Sequence, residues 1–385
     1  MKKPRKKIAI AVLMILALAT LTSANPMVYM DNLLHTKVPY IISYQDSLHY
    51  TATDGNITKT GTLNEGEYVK VTGLANQVTI DLSSELGYVY TIDDSFTSTS
   101  DDSMVLARGR NGLVDTDFYV YNPVPSAYVA RLIITALQDG TTVDINDTTD
   151  DSDDVFGIKL NKGEFHSEPL SGESMLHVTS NNPVFMYFGY LDDNNWEIMP
   201  SVTGDLVGKE YYVPTPCYVG VMPLENGNIE ITRVKDSATV YSGSMTKGNA
   251  IITKTNAGPC SGKTGNGWDG ANMLYINSTQ PVYAWIMDWY RYLSDDSFIP
   301  AVSDSNNMEF YGYASDDYSM DARVWVFAFE DSTTVTVTDL TDGDDSTTGI
   351  LNKGEHLIAG NPFDNDNFKV VSNKPVTVKI EGYAS

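Results

Sequence analysis

A five-residue string, Leu-Asn-Lys-Gly-Glu, occurs at residues 160–164 and again at 351–355. Leu63-Asn64-Glu65-Gly66-Glu67 is a third copy and Met245-Thr246-Lys247-Gly248-Asn249 a fainter fourth. Self-similarity at a near-fixed spacing marks a repeat architecture, in which each unit buries apolar surface against its neighbours. The copies begin at residues 63, 160, 245 and 351. A spacing of about 90 residues fits one small β-sandwich or one to two propeller blades. Four units follow, bounded at 25–105, 106–205, 206–300 and 301–385, the first being the most divergent.

Within each unit an apolar run enters an acidic or amide-bearing turn and leaves as an alternating run. Unit two reads Ala130 to Leu137, then Asp139-Gly140, then Thr141 to Ile145; unit four reads Ala322 to Phe329, Glu330-Asp331, then Thr333 to Val337. Unit three has Gly220 to Leu224, Asn226-Gly227 and Ile229 to Thr232, and unit one has Tyr40 to Tyr44 with Asp54-Gly55 in the turn position. Each unit from the second onward closes on a Pro-containing motif: Ser180-Asn181-Asn182-Pro183, Ser278-Thr279-Gln280-Pro281 and Ser372-Asn373-Lys374-Pro375, set between β-branched runs. Asn tolerates unusual backbone angles and Pro presets φ, so the motif predicts a turn joining paired strands. Val, Ile, Thr, Tyr and Phe dominate the runs, and no long helical period appears after residue 24, so the chain is expected to be all-β. Strand-like segments such as Lys209 to Val213 and Glu309 to Tyr313 occupy the places where linkers would lie. That continuity favours a propeller-like ring sharing one packed body, with tandem β-sandwiches as the alternative.

Charge narrows the function classes. The chain of 385 residues carries 50 acids against 25 bases, a net charge of −25. A surface this acidic repels phosphate backbones and anionic headgroups, so no nucleic-acid partner is expected. Residues 1–24 read as a signal peptide: basic Lys2 to Lys7, an apolar run from Ile8 to Leu21, then small residues ending at Ala24. Fourteen residues of helix span about 21 Å, short of a bilayer's hydrocarbon core of roughly 30 Å, so no membrane span is expected after its removal. The expected location is secreted or cell-surface, and cleavage leaves 20 bases against 50 acids, a net −30.

Export makes Cys217 and Cys260, the two cysteines in the chain, a candidate disulfide. Asn56, Asn146 and Asn277 head Asn-x-Ser/Thr sequons and are candidate glycosylation sites. Asp147, Asp150, Asp151 and Asp153 fall at the same place in unit two as Asp342, Asp344 and Asp345 in unit four, and Asp364 and Asp366 form a third acidic group. Calcium takes six to eight hard oxygen ligands that such loops supply, so Ca2+ is the candidate cofactor, against the alternative of solvated hairpin tips. Trp285, Trp289, Tyr290 and Tyr292 crowd one strand and its exit, and Trp196 follows the equivalent strand of unit two; Trp196, Trp285, Trp289 and Tyr290 are candidate binding aromatics, against the alternative of packing between sheets.

Catalytic signatures are scarce in the sequence. None of the five histidines, His35, His49, His166, His177 and His356, stands in a zinc-ligand pattern. No Gly-x-Ser-x-Gly elbow is present, and the loop from Gly258 to Thr264 has one residue too few between its glycines for a phosphate loop. The expectation is a non-enzyme.

Several of these motifs together resemble a known family. Asp-Gly-Thr-Thr-Val at 139–143, Leu-Asn-Lys-Gly-Glu at 160–164, Ser-Asn-x-Pro-Val at 180–184 and 372–376, and the connectors Met199 to Gly204, Gly208 to Val213 and Phe298 to Ser303 are similar to the repeated N-terminal region of IgGFc-binding-type proteins. The resemblance covers about residues 115–385 and implies an extracellular, adhesive or scaffold-forming β-repeat protein. The animal members add cysteine-rich modules, whereas this chain has two cysteines, so immunoglobulin binding is not carried over. Prokaryotic surface proteins share similar repeats. The implied partners are other surface proteins, glycans or the chain itself. A soluble carbohydrate- or protein-binding module and a secreted glycoside-acting enzyme stand as alternatives.

Overall fold

The computed structural model describes residues 27–30, 37–43, 45–74, 77–84, 87–93, 103–104, 114–122, 130–148, 154–170, 174–190, 196–199, 202, 206–214, 218–234, 236–254, 273–287, 297–299, 308–314, 320–340, 346–363 and 366–384. Every regular element among them is a β-strand.

One seven-stranded plan is repeated four times. In unit four, Glu309–Ala314, Asp366–Ser372, Thr333–Asp339 and Ser346–Leu351 form one sheet in that order, and His356–Phe363, Met320–Ala328 and Val376–Ala384 form the other. Numbered along the chain, the strands of a unit thus pair as first-sixth-third-fourth and fifth-second-seventh, all antiparallel. Unit one repeats this with Met27–Met30, Gln77–Leu82, Leu48–Thr53 and Thr58–Leu63 facing Tyr68–Lys70, Lys37–Ser43 and Gly87–Asp93. The repeat is therefore a two-layer sandwich, the two layers closing on one apolar core per unit.

The Pro-containing motif has a different role from the one its residues predict. In units two and three the sixth and seventh strands are one continuous strand, Ser174–Tyr190 and Leu274–Met287. Its first half pairs with the first and third strands of one sheet and its second half with the second strand of the other. Ser-Asn-x-Pro is thus the corner where a strand changes sheets, not a turn between partners. Asn181 Oδ1 accepts from the Thr142 N–H at 2.7 Å and Asn373 Oδ1 from the Thr334 N–H at 2.8 Å, while Ser180, Ser278 and Ser372 each donate to the carbonyl two residues on. These bonds satisfy backbone groups that lose ladder partners where the strand turns.

The Leu-Asn-Lys-Gly-Glu turn joins the fourth strand to the fifth. Its Glu carboxylate accepts from the backbone N–H three residues earlier: Glu67 from Asn64, Glu164 from Asn161 and Glu355 from Asn352, each at 2.7 Å. The N–H of the turn's third residue donates to a side chain in the loop between second and third strands: Glu65 to Asp46, Lys162 to Asp139, Lys247 to Asn226 and Lys353 to Asp331. This corrects the alignment of unit one. Asp46, not Asp54, is the counterpart of Asp139, and Asp54-Gly55 caps the hairpin after it, Asp54 Oδ1 accepting from the N–H groups of Asn56 and Ile57.

The second strand of each unit is buried on both faces, which explains its unbroken apolar run. Leu132 and Ile134 join the core of unit two, whereas Ile133, Leu137 and Phe185 complete the core of unit one. Val324 and Val326 belong to unit four, while Trp325, Phe327 and Phe329 pack into unit three. Met222, Leu224, Tyr283 and Trp285 of unit three pack on Tyr119 of unit two. Unit four in turn meets unit one through Tyr311 and Asn367, whose side chains donate to Glu65 and to the Gly66 carbonyl. The four sandwiches form a closed circuit.

A short eighth strand extends three of the fifth-second-seventh sheets. Trp196–Ile198 pairs with the end of unit two's long strand, and Ser297–Ile299 with that of unit three. In unit four the place is taken by Ser103–Met104, which the sequence bounds put at the end of unit one but which pairs with Ile380 and Lys379. Ser103 stands where Ser297 and Glu197 stand in the other two units, and Asp101-Asp102-Ser103-Met104 aligns with Asp295-Asp296-Ser297-Phe298.

Candidate functional site

Among the described residues, charged and aromatic side chains meet where the turn of one unit approaches the four-stranded sheet of the unit before it. The glycine of the turn permits both its shape and its approach. Gly66, Gly163, Gly248 and Gly354 have φ of +79°, +81°, +69° and +82°, a region that disfavours residues with a Cβ. A Cβ on Gly66 would lie 2.8 Å from Leu340 of unit four, one on Gly248 3.0 Å from the Tyr119 ring of unit two, and one on Gly354 2.8 Å from Val234 of unit three.

Beside the glycine, the preceding side chain lies on an outward-facing tyrosine of the first strand. Lys247 Nζ sits 5.3 Å from the Tyr119 ring centre, and Lys353 Nζ sits 5.2 Å from Tyr212 and 5.6 Å from Tyr275. An ammonium over an aromatic face is worth about 0.5–2 kcal/mol, more as it is desolvated. Tyr119 is itself stacked on His177 at 4.3 Å with the planes 2° apart, and His177 Nε2 lies 2.8 Å from Asp117 Oδ1. The Tyr119 hydroxyl raises the Lys247 ammonium above its ordinary value, with Asp117 and Glu225 adding to the effect. Burial raises Tyr275 to about 12, assisted by Glu210.

At the seam between units four and one the charges are exchanged. Unit one carries Glu65 in the turn, and the sheet of unit four offers Lys369, 3.6 Å from Glu65 Oε1 and 3.5 Å from Glu309 Oε1. Lys369 Nζ also lies 4.8 Å from the Tyr311 ring centre, and the Tyr311 hydroxyl donates to Glu65. Burial, then Glu65 and Glu309, push the Tyr311 phenol far above its usual range, so it remains a proton donor. At the seam between units one and two Val28 and Thr79 occupy the platform positions, and Lys162 instead reaches Asp81 at 3.8 Å.

The residues singled out from sequence are distributed otherwise. Trp285 is 5% exposed between units two and three, so it packs and does not face solvent. It fills the space left by Gly220, where a Cβ would sit 2.1 Å from its ring. Trp196 has its backbone in a described strand, and Trp289 and Tyr290 lie outside the described residues. So do Cys217, Cys260, Asp150, Asp151, Asp153, Asp342, Asp344, Asp345 and Asp364, while Asp366 begins a strand. Asp147 is buried at the end of its strand, and Asp154 closes the base of that loop by accepting from the Asp147 N–H at 2.9 Å and from Asn146 Nδ2 at 3.2 Å. No group of three or more His, Cys, Asp or Glu is placed to hold a metal among the described residues. Asn56 and Asn277 are exposed, whereas the Asn146 amide is engaged with Asp154.

The seam tyrosines were not singled out by sequence reasoning, yet a signal exists. Phe118-Tyr119, Tyr211-Tyr212 and Phe310-Tyr311 are aromatic doublets at one place in three units. In a strand, neighbours point to opposite faces. The first ring of each doublet enters its own unit's core and the second meets the next unit.

No family model matches this chain, and no curated protein matches it. A solved glycoside hydrolase family 32 structure from Bifidobacterium adolescentis aligns over 94% of this chain and 99% of its own, at 8% identity and a TM-score of 0.15, too low to bear on fold or activity.

Proposed function

We propose that this chain is an exported, non-enzymatic β-repeat protein whose ring of four sandwiches serves as a rigid scaffold in adhesion or in building a surface layer, with glycans, surface proteins or further copies as partners. The observation that carries the reading is the closed circuit of seams. The lysine or glutamate of each turn engages the sheet of the unit before it, as Lys353 on Tyr212 and Glu65 with Tyr311 and Lys369 illustrate. Solvent meets hydroxyl-rich sheet surface, such as exposed Thr58, Thr60 and Thr62 in unit one. Fractionating the source cells into cell wall, membrane and medium tests the location, and binding of purified protein to isolated walls or to glycan arrays tests adhesion. Recovery in the cytosol, or no retention on any surface fraction, would overturn the reading.

One observation favours a second reading, a glycoside-acting enzyme. Glu65 and Glu309 flank Lys369, and two carboxylates across one site are what glycoside hydrolysis needs. Turnover of glycans by the wild type, abolished in Glu309→Gln, would replace the scaffold reading with this one.

A further inference from the structure

The fourth strand of every unit is the outer edge of its four-stranded sheet. An open edge presents a row of N–H and C=O groups with which another strand can pair. Three of the four edges carry a device against such pairing. In unit one, Lys59 lies on the inward row opposite fully buried Ala52, and its Nζ is tied to the Thr72 carbonyl. In unit two the ladder slips between Val143 and Ile145, Gly157 has φ +71°, and Lys159 is exposed. In unit three the ladder slips between Ile231 and Thr232. Inward charges and bulges of this kind are how sheet edges are blunted.

Unit four has none of them. Thr333 to Thr338 pair with Leu351 to Ser346 rung by rung without a shift. The strand Ser346–Leu351 contains no ionisable side chain and no proline. Ile350 within it is 73% exposed, the most exposed large apolar side chain among the described residues.

The geometry points to Ser346–Leu351 as the docking strand for a second copy of this chain, paired antiparallel with its own counterpart about a two-fold axis so that two four-stranded sheets become one. Two copies of net charge −25 repel over most of their surface. A strip without charge is where two such backbones approach at least electrostatic cost. The strand is also complementary to itself. With Gly349 of each copy on the axis and outward faces aligned, Thr348 of one copy faces Ile350 of the other and Thr347 faces Leu351. Ile350 is then covered by a threonine methyl, and the pairing is isologous, as a two-fold interface must be. This inference stands whether or not the adhesion reading holds, because it needs no ligand.

Sedimentation of the full chain from micromolar to near-millimolar concentration, with hydrogen exchange at both ends of that range, tests it. The expected result is a reversible dimer in which the amides of Ser346–Leu351 gain protection as concentration rises. Ile350→Lys and Thr348→Lys should each raise the dimer dissociation constant by about tenfold or more, by placing like charges across the axis. Both sites are exposed, so the melting temperature of the monomer should hold. Ser242→Lys on the edge of unit three should change nothing. A chain that stays monomeric throughout, because the edge takes another extended peptide or water alone, overturns the proposal. So does a dimer indifferent to Ile350→Lys, one equally disrupted by Ser242→Lys, or one whose protection rises elsewhere.

Discussion

The seam between units three and four and the seam between units four and one use the same backbone and opposite charges. At the first, Lys353 in the turn lies over Tyr212 and Tyr275 of the sheet it meets. At the second, Glu65 in the turn meets Tyr311 and Lys369. The turn glycine, its φ near +80°, and the outward tyrosine are common to both. Shape is thus set by the turn and the doublet, whereas the sign of the charge is exchangeable so long as both sides change together. Such pairing gives the Glu65 turn a preferred sheet, because at the Tyr212 surface it would find Tyr275 in the place that Lys369 holds, with the Glu210 carboxylate beside it. Charge complementarity of this sort selects partners more than it adds affinity. Here it sets the seam between units four and one apart from the three whose turns carry lysine.

Emptying the apolar part of the first seam should cost the most stability. Phe327 is 1% exposed, extends from unit four into the core of unit three and lies 5.7 Å from the His356 ring. Phe327→Ala should cost about 3–5 kcal/mol in equilibrium denaturation. A cost below about 1 kcal/mol would mean that the two units do not share a core. Reversing the charge at the second seam is expected to matter less, since Glu65 and Lys369 are each about a third exposed or somewhat less. Glu65→Lys should lower stability by about 1–2 kcal/mol, through the lost acceptor of Tyr311 and repulsion from Lys369. Combining it with Lys369→Glu should recover part of the loss, and a double-mutant cycle measures the coupling.

A smaller effect sharpens the role of the turn. Unit three has Asn249 where the other turns have glutamate, and Asn249 keeps only the backbone bond to Thr246 at 3.1 Å. Asn249→Glu should supply the missing acceptor for the Thr246 N–H and raise stability by about 0.5–1 kcal/mol, read as a shift in denaturation midpoint. Glu355→Ala should lose a comparable amount. The smallest effect at neutral pH belongs to Tyr275, whose phenol burial pushes up to about 12. Because the folded value exceeds that of the unfolded chain, its contribution is fully present below about pH 10 and is lost as pH rises through the folded value. Denaturation midpoints should therefore fall between those values, less steeply in Tyr275→Phe. Identical slopes would place the Tyr275 phenol in solvent.

The strand-built repeat and the turn motif were legible in the sequence because both are written in short-range chemistry: alternation in Thr141 to Ile145, a glutamate three residues after an asparagine, a glycine between them. The corner at Ser180 to Pro183 was misjudged for the same reason. A sheet change and a hairpin turn ask for similar local residues, and only the identity of the strands that Val178 and Val184 pair with separates them. Asp54-Gly55 misled likewise, since its true counterpart is recognisable only by the distant N–H that Asp46 accepts. The seams could not be located without the fold, because Glu65 and Tyr311 stand in different units and nothing in the sequence ties one to the other. The doublet Phe310-Tyr311 marked a strand with two apolar faces but not what covers the second.

The eighth strand of unit four sets a timetable. Ser103–Met104 is made before units two and three, while its partner in Val376–Ala384 belongs to the last unit. A chain synthesised from its N-terminus can complete units two and three with strands that follow each at once. It must hold Ser103–Met104 unpaired until the fourth unit emerges. Contacts of such long sequence separation form late, after the loop they close has lost its freedom. Pairing of Met104 with Lys379 thus reports that the fourth unit has been delivered, and a chain stopped short of unit four keeps an unclaimed strand as the mark of that stop.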